Sequence, residues 1–321
     1  MPSTGYVELR CRSAFSFLRG ASLPEDLMER AAALGHDALA LSDRHGVYGA
    51  PRFFTAARRA GVRALVGAEV VVGDAGTLAL LVEDRTGYAN LCRLLTAAAA
   101  GRPKGDALAT WEQVEEHAAG LHCLAGGAEG PLVGTQGTQA ALHLDRLQGI
   151  FRDRLAVDVH RHRERAGERL ARRLADLAAA RGVPVVATND VRHTTPAGRP
   201  LLDVLTCIRH GTTLDRAGRL LLGNAERHLK SPAEMAALFR DSPAAVHRSR
   251  HIAERCGLRS PTCRTASPTT RCRRARRRTA SCATSPTRAR AGAGARSRRA
   301  SAPSSTTSSR SSRSSISPAT S

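Results

Sequence analysis

The chain has 321 residues, 42% hydrophobic but only 3% aromatic, so any core must be built from Ala, Leu and Val, in one large domain or two ordinary ones. The absence of an 18-residue apolar run and of an apolar leader argues against a membrane span or a secretory signal. Eight scattered cysteines without CxxC spacing argue against a zinc ribbon or a disulfide framework, and the cytoplasm is the expected setting. The net charge of +21 is local: residues 259–321 hold 15 Arg and no Lys, Asp or Glu, which leaves the rest only mildly basic.

From the N-terminus, strands are predicted over residues 7–11, 38–42, 62–66, 70–73, 77–82, 121–124, 155–159 and 183–187. Several are short unbroken apolar runs, the pattern of strands buried on both faces. Asp74-Ala75-Gly76 reads as a hairpin turn. Helices alternate with the strands. Ser22 and Glu25 have capping-box spacing ahead of Leu27, Ala31 and Leu34, with Gly35 as the stop. Thr110 and Gln113 repeat the box, and residues 164–181 form a longer helix closed by Gly182. Ser231-Pro232-Ala233-Glu234 opens another helix, and a last one is expected over residues 243–256. The alternation up to about residue 205 favours parallel strands with right-handed crossovers, in a barrel or an open sheet. Residues 206–258 read as a helical extension. Beyond Leu258 there is no Leu, Val, Phe, Tyr or Trp, too little apolar surface to offset chain entropy, so 259–321 is expected to be disordered.

In a barrel of parallel strands, reactive groups gather at the C-terminal strand ends. That rule selects Arg10 and Arg12, Asp43 and Arg44, Glu69, His160 and His162, and Asp190 and Arg192. Acids beside histidines are the raw material of a divalent-metal site. Taken singly, Asp43 and Glu69 read as turn or cap residues, and His160, His162 and His193 as solvated loop histidines. Residues 161–173 read as a charged helix face, and Cys11, Cys92 and Cys207 as small core residues.

The segments YVELRCRSAFSFLRGAS, ALALSDRHGVYGA, ALVGAEV, LLVEDRTGYANLCRLLT, VPVVATNDVRHTTP and DVLTCIRH with AERHLKSPAEM carry a resemblance across residues 5–257. They resemble the PHP (polymerase and histidinol phosphatase) domain that opens bacterial C-family DNA polymerases, especially the error-prone branch. The resemblance implies an α/β fold, a distorted (β/α)7 barrel over residues 1–205 followed by short helices over 206–258. In active members such a barrel binds up to three metals, Zn, Mn or Fe, and hydrolyses phosphoesters. It also implies a place in error-prone, translesion, repair-associated DNA synthesis, with DNA and other translesion or replisome subunits as partners.

Carried over residue by residue, the opening His-x-His pair falls on Arg10 and Arg12, and the aspartate is kept as Asp43 with its neighbouring histidine on Arg44. The glutamate is kept as Glu69, a later histidine falls on Thr77, and a cysteine falls on Gly127. A further histidine is kept as His162, and the last Asp-x-His keeps Asp190 with Arg192 in the histidine's place. Arginine stays protonated and has no lone pair for a metal. Four arginines would therefore repel a divalent cation and pair with Asp43, Glu69 and Asp190 themselves. The resemblance thus implies a degenerate metal site, with no catalytic residue and no cofactor. Zn or Mn would belong only to an active site of this type, and Mg²⁺ to a polymerase body whose Asp-x-Asp carboxylates appear nowhere in the chain.

Two other classes remain. A stand-alone metal-dependent phosphoesterase would need the missing histidines. A nucleic-acid-binding protein could act through the basic segment, where Arg271, Arg273, Arg274, Arg276, Arg277 and Arg278 would neutralise phosphates in a salt-dependent way. The abrupt change at Leu258 to residues of GC-rich codons is what a frameshift ahead of a polymerase body would leave, so the chain reads as a truncated module whose own enzymatic activity is open. Resequencing the gene through the Leu258 codon checks this. A polymerase frame resuming one base out of register is the expected outcome, and its absence from every frame would overturn the reading.

Overall fold

The computed structural model describes residues 5–258 apart from 74, 104 and 134–136. The basic segment 259–321, with Arg271 to Arg278, lies outside the described residues. Seven strands, β1 (Glu8–Cys11), β2 (Ala38–Arg44), β3 (Arg63–Val72), β4 (Gly76–Val82), β5 (Leu121–Leu124), β6 (Leu155–Val159) and β7 (Val185–Ala187), form a sheet in chain order. Neighbours run parallel except β4, which is antiparallel to both β3 and β5. The exception has a local cause: β3 ends at Val72 and β4 starts at Gly76, too short a connection for a crossover, so the two strands must fold back as a hairpin. Val191, just beyond β7, then returns to β1: Arg12 N donates to Val191 O at 2.9 Å and Val191 N to Arg10 O at 2.8 Å. The sheet therefore curls into a half-barrel.

Residues 62–66 and 70–73, expected as separate strands, are one strand, β3. Gly67 lies in the middle and does not break it. A Cβ there would sit 2.3 Å from the Leu80 carbonyl oxygen, so glycine permits the close approach of β4.

The helices are α1 (Pro24–Ala33), α2 (Ala50–Ala60), α3 (Arg85–Ala99), α4 (Trp111–Glu116), α5 (Gly137–Phe151), α6 (Arg165–Ala180), α7 (Arg199–His210), α8 (Leu214–Ala217), α9 (Pro232–Leu238) and α10 (Pro243–Arg255). The boxes expected at Thr110–Gln113 and Ser231–Glu234 form as paired hydrogen bonds. The box expected at Ser22 and Glu25 does not. The cap is Leu23, whose N–H donates to Asp26 at 3.1 Å, while Ser22 Oγ accepts from Thr194 N at 3.0 Å.

The strand period of two sorts side chains into layers. Ala40, Leu65, Ala79, Leu124, Ala156 and Val186 share one inward-facing cluster with Ile252 and Ala253 of α10. Helix α10 thus plugs the floor of the barrel, and Val7 N donates to Ser249 Oγ at 2.9 Å beside it. Four residues further along the same strand faces stand Arg44, Glu69, His160 and Asp190. The curled sheet therefore has an apolar floor and an ionic top. Leu39, Leu41 and Cys11 point outward onto α1 and α2. No helix among the described residues is long and apolar enough to cross a membrane.

Ile252 is 1% exposed in the floor plug. Ile252→Ala should therefore lower stability by roughly 2–5 kcal/mol in denaturant unfolding; an unchanged midpoint would show that α10 does not seal the barrel.

Candidate functional site

Arg10 and Arg12 leave β1 on the inner face, and their side chains are 1% and 0% exposed. Glu69 of β3 lies between them, its Oε1 accepting from Arg10 Nε at 2.9 Å and its Oε2 from Arg12 Nε at 2.8 Å. Each oxygen thus serves a different guanidinium. Arg10 also donates to Asp158 at 2.7 Å through Nη1. Asp158, on β6, accepts further from Gly126 N at 2.6 Å and pairs with His160 Nε2 at 2.9 Å.

Above this layer, Glu129 gathers three guanidiniums. Arg192 reaches it at 2.7 Å, Arg44 at 3.1 Å and Arg12 at 3.4 Å. Arg192 also donates to Asp190 at 3.1 Å, and Arg227 donates to the same Asp190 oxygen. Asp190 adopts a left-handed backbone, φ 45°, which an aspartate tolerates and which turns its carboxylate into the cluster. Thr77, where the resemblance places a histidine, accepts from Arg44 at 3.4 Å.

Asp43 departs from expectation. Among the described residues no guanidinium pairs with it. Its oxygens accept from Ser13 N at 2.7 Å, Ser13 Oγ at 2.8 Å and Ser16 Oγ at 2.6 Å, so it anchors the loop after β1. The reason is the alternation along β2, which sends Arg44 inward and Asp43 to the other face. His160, His162 and His193 are buried, not solvated. His162 Nε2 donates to Asn189 O at 2.9 Å. Of the three cysteines expected in the core, Cys11 and Cys207 are buried and Cys92 is half-buried.

Titration follows from these contacts. Arg12, Arg192 and Arg44 hold Glu129 well below the usual carboxylate range against the opposing effect of burial. Burial would raise Asp158 and Asp190, but Arg10 with His160, and Arg12 with Arg192 and Arg227, outweigh it and lower both. Burial pushes Asp43 up despite its three donors. Glu8, at the start of β1, has no guanidinium partner among the described residues: burial pushes it up to about 7 although Tyr6 OH donates to it at 2.6 Å. Burial and the nearby Arg227 depress His162 to about 2, which keeps its ring neutral.

The donor set does not suit a divalent metal. The carboxylates of Glu69, Glu129, Asp158 and Asp190 are engaged by guanidiniums, which carry the charge a metal would supply. Gly127 adds a steric reason: a Cβ there would sit 2.8 Å from Arg10 Nη1 and 2.6 Å from His160 Cε1. Arg10 thus fills the space that a cysteine at this position would need. Among the described residues no group of three His, Cys, Asp or Glu is disposed to hold a metal.

Four members of the cluster were not selected from sequence. Glu8 and Asp158 had a usable signal, a charged residue on the inner face of an otherwise apolar strand. Glu129 lies in a glycine-rich loop and Arg227 in an irregular segment, and neither position carries a pattern.

Residues 8–162 of the chain, which carry β1 to β6, fit the model of the PHP domain. The chain's N-terminal part is similar to error-prone DNA polymerases. It is 48% identical over 270 residues to the one from Anaeromyxobacter sp. (strain K), which covers 79% of this chain and 23% of that protein. It is 37% identical over 256 residues to error-prone DNA polymerase 1 of Agrobacterium fabrum, covering 80% of this chain and 23% of the relative. The chain thus spans about 23% of the length of these curated relatives. Among solved structures, an amidohydrolase from Chromobacterium violaceum with bound sulfate and no metal aligns with 58% of this chain and 87% of its own. Its identity is 17% and its TM-score 0.44.

Two measurements test the electrostatics. Arg10→Met leaves Glu69 and Asp158 without their shared buried partner, and should cost about 3–5 kcal/mol in denaturant unfolding. Glu8 binds its proton more tightly folded than unfolded, so between about 4.5 and 7 the unfolded chain ionises first and stability falls as pH rises. The expected slope from this group is ~1.4 kcal/mol per pH unit, and Glu8→Gln should flatten it. The depressed pKa values of Asp158, Asp190 and Glu129 act oppositely: their stabilisation is present above the ordinary carboxylate range and is lost as pH falls through the folded values.

Proposed function

We propose that this chain is the PHP module of an error-prone, translesion-type DNA polymerase, and that its former metal site is held together by arginine instead of metal. The observation that carries the reading is the convergence of Arg10, Arg12, Arg44 and Arg192, all at positions where the resemblance places histidines, on Glu69, Glu129, Asp158 and Asp190. A guanidinium satisfies these carboxylates by fixed, directional hydrogen bonds. It offers neither a Lewis acid nor an activated water, so phosphoester hydrolysis by the metal route has no starting point here.

The role that fits is structural. The barrel would support a polymerase body and meet DNA or sister subunits. The similarity to DNA polymerases supports DNA as the ultimate substrate of the whole protein. The unpaired cysteines among the described residues support a cytoplasmic setting.

Isothermal titration with Zn²⁺ and Mn²⁺, followed by hydrolysis of a generic phosphoester, tests the reading. The expected outcome is no micromolar binding and no turnover. Micromolar binding that disappears in Glu69→Ala would overturn it. A gain of Mn²⁺ binding in the combined variant Arg10→His, Arg12→His, Arg44→His and Arg192→His would support it.

A further inference from the structure

Helix α7 is apolar on two sides. Leu202, Thr206 and Cys207 face the protein and are buried. On the opposite side stand Leu201, Val204 and Ile208, at the helical spacing i, i+3 and i+7, with the half-buried Leu205 beside them. The three are 51%, 42% and 60% exposed. Leu214 on α8 and Leu220 in the turn after it are 51% and 45% exposed, and α8 packs on α7. Of the nine large apolar side chains exposed among the described residues, five thus fall within residues 201–220. A helix that is apolar all round is one that is covered all round, and α7 is covered on one side only.

The open face is fixed in place. Arg199, at the start of α7, donates to the carbonyls of Leu222 and Asn224 and pairs with Asp203 at 2.6 Å. Asp203 is the one acid of α7, so the same pairing neutralises it beside the seam. Arg209 and His210 stand past Ile208 at the helix end, not within the seam. The rest of the chain has little to lay over it: residues 259–321 hold no Leu, Val, Phe, Tyr or Trp and a single large aliphatic, Ile316. Relief of the exposed apolar surface must come from another molecule.

We propose that this face binds a second copy of the chain, in a two-fold dimer whose α7 helices pack antiparallel. The axis then passes between Val204 and Leu205, and Leu201 meets the partner's Ile208. A two-fold interface must be complementary to itself, and an uncharged seam meets its own copy without like charges in contact. The area fits as well. Five side chains about half exposed amount to on the order of 400 Å² of apolar surface per copy. At ordinary interface composition, ~57% apolar, that corresponds to roughly 700 Å² per copy, close to the ~800 Å² per partner of a stable complex. A rigid helix loses little freedom on docking, which favours association further. The inference rests on α7 and α8 of this chain and holds independently of the polymerase reading.

Sedimentation velocity of the nuclease-treated full chain over a concentration series tests this. Wild type should pass from monomer to dimer in the micromolar range. Each copy carries a net charge of +21, so added sodium chloride should screen the repulsion and strengthen the dimer. Association through the basic segment and residual nucleic acid would instead weaken with salt, and that result would count against the proposal. Leu201→Glu with Ile208→Glu should raise the dissociation constant about tenfold or more. Both side chains are exposed, so this double variant should keep the wild-type thermal midpoint; Ile208→Lys alone decides the matter if it does not. Phe17→Ser with Tyr48→Ser removes two exposed rings outside the seam and should leave the dimer intact. A wild type that stays monomeric throughout would overturn the proposal and leave α7 to a partner of another kind. So would open-ended aggregation, or a dimer that survives the changes at Leu201 and Ile208.

Discussion

Two guanidiniums with no access to water sit on the inner face of the first strand, and both lean on the one carboxylate of Glu69. Charges in that position cannot be solvated, so each must find counter-charge and hydrogen-bond acceptors inside the protein. Much of the polar end of the barrel answers that requirement. Asp158 stands on β6 facing Arg10, Asp190 turns inward on a left-handed backbone, Thr77 offers a hydroxyl, and Gly127 leaves room by having no side chain. The members are shared: Glu69 bridges Arg10 and Arg12, and Glu129 bridges Arg12, Arg44 and Arg192, so the loss of one side chain disturbs the partners of its neighbours.

This dependence divides the barrel into two kinds of stability. The floor is apolar and non-directional, sealed by α10 against Leu65, Leu124 and Val186. The top is directional, because each guanidinium fixes the position of two or three acceptors. The floor supplies burial energy, and the top supplies specificity of arrangement at a large desolvation cost. A segment beyond the matched PHP region, the helix at residues 243–255, thereby shares the core of the strands it follows.

The same chemistry separates this barrel from a metal centre. A metal site needs neutral donors and carboxylates with free lone pairs. Here cationic side chains occupy the donor positions, and both oxygens of Glu69 and of Asp158 are already bonded. Guanidinium charge meets the carboxylates inside the barrel directly. What remains at the outer end is an arginine-rich rim with a single half-open carboxylate, Glu129.

The alternation of strands and helices, the layers set by a period of two, and the presence of arginines at successive strand ends were all legible in the amino-acid order, because each depends on neighbours a few residues apart. So were two of the three capping boxes. The partners were not. Asp43 and Arg44 are adjacent in sequence and face opposite sides of β2, and Glu129 is 117 residues from the Arg12 it neutralises. Glu8 and Asp158 could be seen as charges inside strands, but not which cation each would meet. Ion pairing in a buried cluster depends on which strands curl together, and that is decided by long-range packing; only the tertiary structure determined that Glu129 and Asp158, with Glu69, balance the arginines while serines hold Asp43.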